Sequence, residues 1–195
     1  MTFREVVAAE FAPYGILTPT QLDQLQAHYD LLIRWNAKLN LTRIDSPEDA
    51  AKLHYCESLY LAASLPAGSL KIADIGSGAG FPGLPLAIFR PECQITLVES
   101  HQRKGVFLRE ATRDLPNIKV LALRAEEIPG PFDWIVSRAV KPEDVLRLTS
   151  AANFALLIGE EDARLIGEGH SLPWGIGRFA AGVPRGTISP PAPRS

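Results

Sequence analysis

Several features that would settle the class of this chain at once are missing from it. Only two cysteines, Cys56 and Cys93, occur in 195 residues, without CxxC spacing and without a histidine at ligand spacing. That argues against a structural zinc site and against an extracellular disulfide framework, and both thiols read as ordinary half-buried residues. No apolar run approaches the length needed to cross a bilayer. The amino-terminal Met1-Thr2-Phe3-Arg4-Glu5-Val6 carries charge where a secretory leader would be apolar. A soluble cytoplasmic protein with no membrane partner is therefore expected. An excess of one charge is missing too, since 20 Lys and Arg face 22 Asp and Glu for a net charge of −2. That balance excludes a module that coats nucleic acid through bulk charge, although a local basic patch remains open. No internal repeat is visible, and the sequence says nothing direct about oligomeric state, for which a monomer is the expectation.

What is present begins with helix signals. A chain of this length buries about 70% of its unfolded surface and needs no metal or disulfide to hold a core. Thr18-Pro19-Thr20-Gln21 is a capping box with proline at the first helical position. Leu22, Leu25, Tyr29, Leu32 and Trp35 then recur at helical spacing. Ser46-Pro47-Glu48-Asp49 repeats the start signal, and Leu53, Cys56, Leu59, Tyr60 and Ala63 supply an apolar face behind it. After Gly68 the pattern changes to short β-rich runs at 70–75, 94–99, 118–123, 132–136 and 154–158. Helix-sized segments lie between them at 83–89 and 102–115, with a short link at 125–131. Strands that are apolar nearly throughout, alternating with helices, predict a parallel sheet covered on both faces. The expected organisation is one domain over 1–195, with a helical region at 1–66 and an α/β core at 67–166. A Gly- and Pro-rich segment at 167–195 is read as a thin hairpin or irregular wrap followed by a loose tail.

The chemistry concentrates in Ile72-Ala73-Asp74-Ile75-Gly76-Ser77-Gly78-Ala79-Gly80, an apolar strand running into three alternating glycines before a helix. Glycines there let backbone approach a ligand closely. A dinucleotide fingerprint would place its third glycine where Phe81 stands, and a pyrophosphate wants free amides at a helix start. Phe81-Pro82-Gly83 follows instead, and proline removes one such donor. The pattern thus points away from NAD and toward an adenosine cofactor without phosphate, for which S-adenosylmethionine fits. Glu99, ending the second strand about 20 residues on, is placed to accept both ribose hydroxyls. Gly76, Gly78 and Glu99 are accordingly candidate cofactor contacts.

The run Asp74–Ala87, with its Gly-x-Gly-x-Gly-x-Pro-Gly-x-Pro order, resembles the bacterial ribosomal RNA small-subunit methyltransferase G family, also called glucose-inhibited division protein B. Trp35-Asn36 with Asn40-Leu41-Thr42-Arg43-Ile44, then His54 with Glu57-Ser58, then Phe132-Asp133-Trp134-Ile135-Val136-Ser137-Arg138-Ala139 carry the same resemblance, which spans roughly 20–140. It implies a Rossmann-like class I S-adenosylmethionine-dependent methyltransferase fold with an amino-terminal helical extension. It also implies methyl transfer to N7 of a guanosine in 16S ribosomal RNA, with that RNA or the small ribosomal subunit as partner. Carried over by position, cofactor contacts fall at Gly76, Phe81, Ala125, Glu126 and Arg138. The chain departs from the family where Glu99 and Glu57 stand in place of aspartate, and where Ile158-Gly159-Glu160 replaces a Lys-Gly.

Arg138 has three readings: a cofactor contact, a donor to guanine O6, or a loop anchor. Arg103 and Lys104, in a basic stretch that continues at Arg109 and Arg113, are candidate RNA-phosphate contacts beside the expected cofactor mouth, against the default of a solvated helix face. Arg34, Lys38 and Arg43 add positive charge in the helical region. His54 is read as structural. No metal site and no nucleophilic triad are expected. Three other functions stay open at this point: a methyltransferase acting on a small molecule or protein, a non-catalytic cofactor-binding ribosome assembly factor, and an NAD-dependent oxidoreductase.

Overall fold

The computed structural model describes residues 1–43, 46–167, 169–184 and 187–194. Ile44, the last residue of the amino-terminal motif, lies outside them. Helices α1 (Phe3–Phe11) and α2 (Pro19–Leu39) each start at a threonine whose hydroxyl accepts from the third helical amide, Thr2 from Glu5 and Thr18 from Gln21. Both third residues return a side-chain bond to the cap amide, so two orphan donors are satisfied at each start. Helix α3 (Pro47–Ala50), a wide π turn over Ala51–Cys56 and α4 (Glu57–Ser64) form one continuous rod.

Seven strands follow: β1 (Lys71–Ile75), β2 (Gln94–Val98), β3 (Ile118–Leu121), β4 (Phe132–Arg138), β5 (Ala151–Gly159), β6 (His170–Ser171) and β7 (Arg178–Val183), ordered β3-β2-β1-β4-β5-β7-β6. The first five pair in parallel, and β7 runs antiparallel to β5. Helices α5 (Gly83–Phe89), α6 (Gln102–Ala111), α7 (Pro142–Val145) and α8 (Glu160–Ile166) make the connections. Period-two alternation divides the core. Ile72, Ile95, Leu97 and Val136 face the large cluster built with α1, α2, α4 and α5, whereas Ala73, Ile75, Val98, Ile135 and Leu156 face a smaller one on the other side. Among the described residues no helix is long and apolar enough to cross a membrane.

Chain order reverses at β1, whose neighbours are β2 and β4. The loops leaving β1 and β4 therefore run to opposite faces and open a crevice at the carboxyl edge of the sheet. Ser137 marks that point, its hydroxyl donating to the Ile75 carbonyl at 2.8 Å.

The carboxyl-terminal segment departs from expectation. A hairpin is present, but it extends the sheet, with β7 paired to β5, β6 at the edge, and Ala180 and Ala181 fully buried. Nor is the tail loose. Ile188 is buried, the Ser189 amide donates to the Ser64 carbonyl at 3.1 Å, and the Arg194 amide donates to the Pro13 carbonyl at 2.7 Å. Ladder pairing with β5 fixes β7 in place, and an apolar residue in a polar tail buys its docking.

Candidate active site at the carboxyl edge of the sheet

The glycine loop is built so that its amides serve the protein. Gly76, Gly78 and Gly80 have φ of 70°, 55° and 93°, a region closed to most side chains. The Gly76 and Ser77 amides donate to the Val98 carbonyl, at 2.9 and 3.1 Å, while those of Gly80 and Phe81 turn back to the Ser77 carbonyl. The Gly78 amide donates to Glu99 Oε2 at 2.9 Å, and Gly83 donates to Asp74 Oδ2 at 3.0 Å. With these donors spent internally, the loop is not a phosphate cradle, which needs free amides. Asp74 is fully enclosed beneath the loop, and burial pushes its carboxyl up to about 7.

Glu99 reaches back across the loop mouth. Its Oε1 accepts from the His101 amide at 2.8 Å while Oε2 holds Gly78. A carboxylate has about four lone-pair sites, so two remain for a ligand's hydroxyls.

Two histidines support the loop from the helical side. His28 of α2 donates from Nε2 to the Ala79 carbonyl (3.0 Å) and accepts the Tyr55 hydroxyl at Nδ1 (2.7 Å). A carbonyl can only accept, so the geometry fixes the neutral Nε2–H tautomer. Burial lowers its pKa to about 4. His54 stacks on Phe81 with centroids 4.8 Å apart and planes at 20°, and its Nε2 meets Thr42 Oγ1 at 2.7 Å. Burial, then the charges of Arg138 and Arg178, lower it to about 3. Thr42 is itself clamped by Asn36, which donates to its carbonyl (3.0 Å) and accepts from its amide (2.8 Å). The Asn36 and Thr42 positions of the amino-terminal motif thus carry a wall of the crevice.

The crevice has three connected compartments. One of about 500 Å³ is lined by Val98, Ala125, Glu126 and Val145. A second, of about 430 Å³, lies against Thr42, His54, Gly78, Glu99, Lys104 and Arg138. These two share Gly76 and Val140. The third, about 380 Å³, shares Arg138 and Ala139 with the second. At that junction the fully buried Glu57 carboxylate accepts two bonds from Arg178 and lies 3.9 Å from Arg138 Nη1. Desolvation raises the Glu57 pKa, and the Arg178 bonds pull it back only in part.

The structure brings Gly76, Gly78, Phe81, Glu99, Ala125, Glu126 and Arg138 to this one edge. Phe81 is buried and presents its ring to His54, and Glu126 stands exposed on the rim. Lys104 lines the second compartment, whereas Arg103, beside it, points to solvent. His54 is no mere prop, since it forms part of the lining. Both cysteines are buried, and burial raises the pKa of each. The roles of Thr42 and Ala139 left no sequence signal beyond membership of the motifs, and that of Val140 left none, because each depends on which loops meet at the crevice. Among the described residues no group of His, Cys, Asp or Glu is arranged to hold a metal ion.

The family described as rRNA small subunit methyltransferase G matches residues 21–157. The chain belongs to this family. A relative of that name from Methylobacillus flagellatus is 42% identical over 130 residues, covering 64% of this chain and 62% of the relative. Another, from Dichelobacter nodosus, is 42% identical over 147 residues, covering 73% and 67%. The matched part thus spans about three-fifths to two-thirds of these relatives. An S-adenosylmethionine-dependent methyltransferase from Aquifex aeolicus superposes with a TM-score of 0.55 at 14% identity, over 72% of this chain and 94% of that one. M. capricolum TrmK, solved with S-adenosylhomocysteine, gives 0.52 at 10% identity, over 64% and 65%. The fold of this family member is that of the class I S-adenosylmethionine-dependent methyltransferases.

Proposed function

We propose that the chain is a methyltransferase that uses S-adenosylmethionine to modify N7 of a guanosine in 16S ribosomal RNA, acting as one domain in the cytoplasm on that RNA or on the small subunit. The observation that carries the reading is the β1 loop, whose Gly76, Ser77, Gly78, Gly80 and Phe81 amides are spent within the protein while Glu99 keeps acceptor capacity at its mouth. That combination suits an adenosine ligand with no phosphate.

In this reading Ala125 and Glu126 flank the adenine compartment and Glu99 takes the ribose hydroxyls. Gly76, Gly78 and Phe81 shape the floor, and Arg138 stands at the far end of the second compartment. When bound, the cofactor supplies an electrophilic methyl group: the acceptor nitrogen's lone pair forms the new bond while the S–C electron pair stays on sulfur. N7 of guanine carries that lone pair at neutral pH, so the protein has no proton to remove. Its task is to hold two reactants in line at about 3–3.5 Å, where effective molarity lowers the barrier most. The lining suits this, since His54 is neutral and bound to Thr42 and Glu57 is tied to Arg178. Lys104 and Arg103 are placed to meet RNA phosphates beside the mouth.

The test is transfer of labelled methyl from S-adenosylmethionine to small ribosomal subunits taken from cells lacking this enzyme, followed by mapping of the label. One guanosine labelled at N7 is expected. Label in a small metabolite or a protein and none in RNA overturns the substrate, cofactor uptake without transfer points to an assembly factor, and displacement of the cofactor by a nicotinamide dinucleotide overturns the site.

A further inference from the structure

The third compartment has no role in the family resemblance or in the cofactor reading, and its two walls differ in kind. Arg138 supplies the polar wall. Its Nη1 is buried and makes no hydrogen bond, its nearest partner being the Glu57 carboxylate at 3.9 Å. Glu57 bonds Arg178 instead, so a residue that lines both the second and the third compartments keeps one buried guanidinium donor without a hydrogen-bond acceptor. A buried donor without an acceptor is costly to leave unmade, and such a group calls for a ligand. The opposite wall is apolar, formed by Leu157, Ile158, Leu172 and Ile176.

Ile176 stands out. It is fully exposed, at 103%, on the tip of the β6–β7 hairpin, between Gly175 and Gly177 with φ of 96° and 71°. The tip is anchored on both sides. Trp174 is buried against Tyr14 and Tyr60 and donates to Glu10 at 2.9 Å, and Arg178 grips Glu57. An apolar side chain is thus held out rigidly at the lip of a compartment. Backbone strain marks the same place, for Ala139, at the shared wall, has φ of 59°, a left-handed conformation that its Cβ disfavours.

We propose that this third compartment receives the acceptor base, with Ile176 closing over one face of the ring and the free Nη1 of Arg138 donating to the oxygen beside the methylated nitrogen. The proposal rests on the reading of the first two compartments as the cofactor site. Guanine offers O6 next to N7, whereas adenine offers an amino donor there, which would leave Arg138 facing another donor. A donor placed in this way rejects the wrong base more strongly than apolar contact can. A base stacked inside a helix cannot reach the compartment, so the target is an unpaired or extruded nucleotide, and an apolar side chain covering the freed face offsets lost stacking.

The test uses Ile176→Asp, Ile176→Met and, as a control, Leu165→Asp at an exposed leucine on α8 that lines none of the three compartments. Methyl transfer to small subunits from cells lacking the enzyme is followed at steady state, and S-adenosylhomocysteine binding is measured on the same preparations. Ile176→Asp is expected to raise KM for the subunit about tenfold, the loss of one apolar contact, with cofactor affinity unchanged. Ile176→Met, which keeps an apolar side chain there, should recover most of that loss, and Leu165→Asp should stay near wild type. Guanosine monophosphate should compete against the subunit, and the 2-aminopurine nucleotide, which lacks O6, should not. Wild-type KM for Ile176→Asp, or equal losses for Ile176→Asp and Leu165→Asp, overturns the lip. Equal competition by the two nucleotides overturns the Arg138 contact. Failure of the cofactor reading shows instead in the unmodified protein, as no cofactor binding or no label in the subunit, and it removes this proposal with it.

Discussion

The two ends of the crevice are built from different materials. The glycine-loop end is mostly backbone, with carbonyls and amides of residues 76–83 bonded to Val98, Ser77 and the short-range acid Asp74, and with φ values that only glycine accepts cheaply. At the Arg138 end side chains from distant segments meet, namely Glu57 of α4, Arg138 of β4 and Arg178 of β7. Backbone geometry is set locally and recurs wherever the motif recurs. An ion cluster exists only if three elements arrive together, and its charges are expensive when one partner is lost.

The strongest test of that contrast is Glu57. Glu57→Gln leaves two guanidiniums without their buried counter-charge and should cost about 3 kcal/mol, the low end for breaking a buried pair because Arg178 keeps some water contact. Glu57→Asp keeps the charge and should recover most of it. Chemical denaturation of the three proteins checks this, and equal midpoints for Gln and Glu would show that the cluster contributes nothing.

His28 probes the other end. His28→Ala strands the Ala79 carbonyl and the Tyr55 hydroxyl and should cost about 2–3 kcal/mol at pH 7.5. The pH dependence has a fixed sign. The folded state holds His28 and His54 neutral to about 4 and about 3, while the unfolded chain takes up their protons below the ordinary value of 6.5. Stability is therefore lost as pH falls from 6.5 toward 4. Asp74, raised to about 7, acts in the opposite sense, its cost growing as pH rises from 3.8 to 7, but it is common to both proteins. The deficit of His28→Ala should accordingly shrink at pH 5. A deficit that widens there contradicts the neutral tautomer.

Ala139 gives the smallest effect and lies between the two ends. Ala139→Gly relieves a left-handed alanine and should stabilise the fold by about 1 kcal/mol, read as a rise in Tm. No rise would mean that the junction is not strained.

Much of the glycine-loop end was legible in the sequence. The Gly76–Gly80 spacing and Glu99 are local signals, and α5 begins and ends at Gly83 and Phe89 as its pattern predicts. The Arg138 end was legible only in part. Arg138 was singled out by the motif that carries it, but its neighbour Arg178 lies 121 residues from Glu57, inside a Gly- and Pro-rich stretch that reads as irregular. The tail misled for a related reason. Ile188 among prolines carries no periodicity, and its burial depends on a groove made by other segments.

The sequence by itself determined the capped helices, the parallel strands and the conformation of the β1 loop, because caps, alternation and glycine φ are decided within a few residues. Tertiary structure alone decided that His54 faces Phe81, that the β6–β7 hairpin extends the sheet, and that one donor of Arg138 is left over. Those outcomes depend on which distant groups compete for the same buried partner, and that competition exists only once the chain has packed.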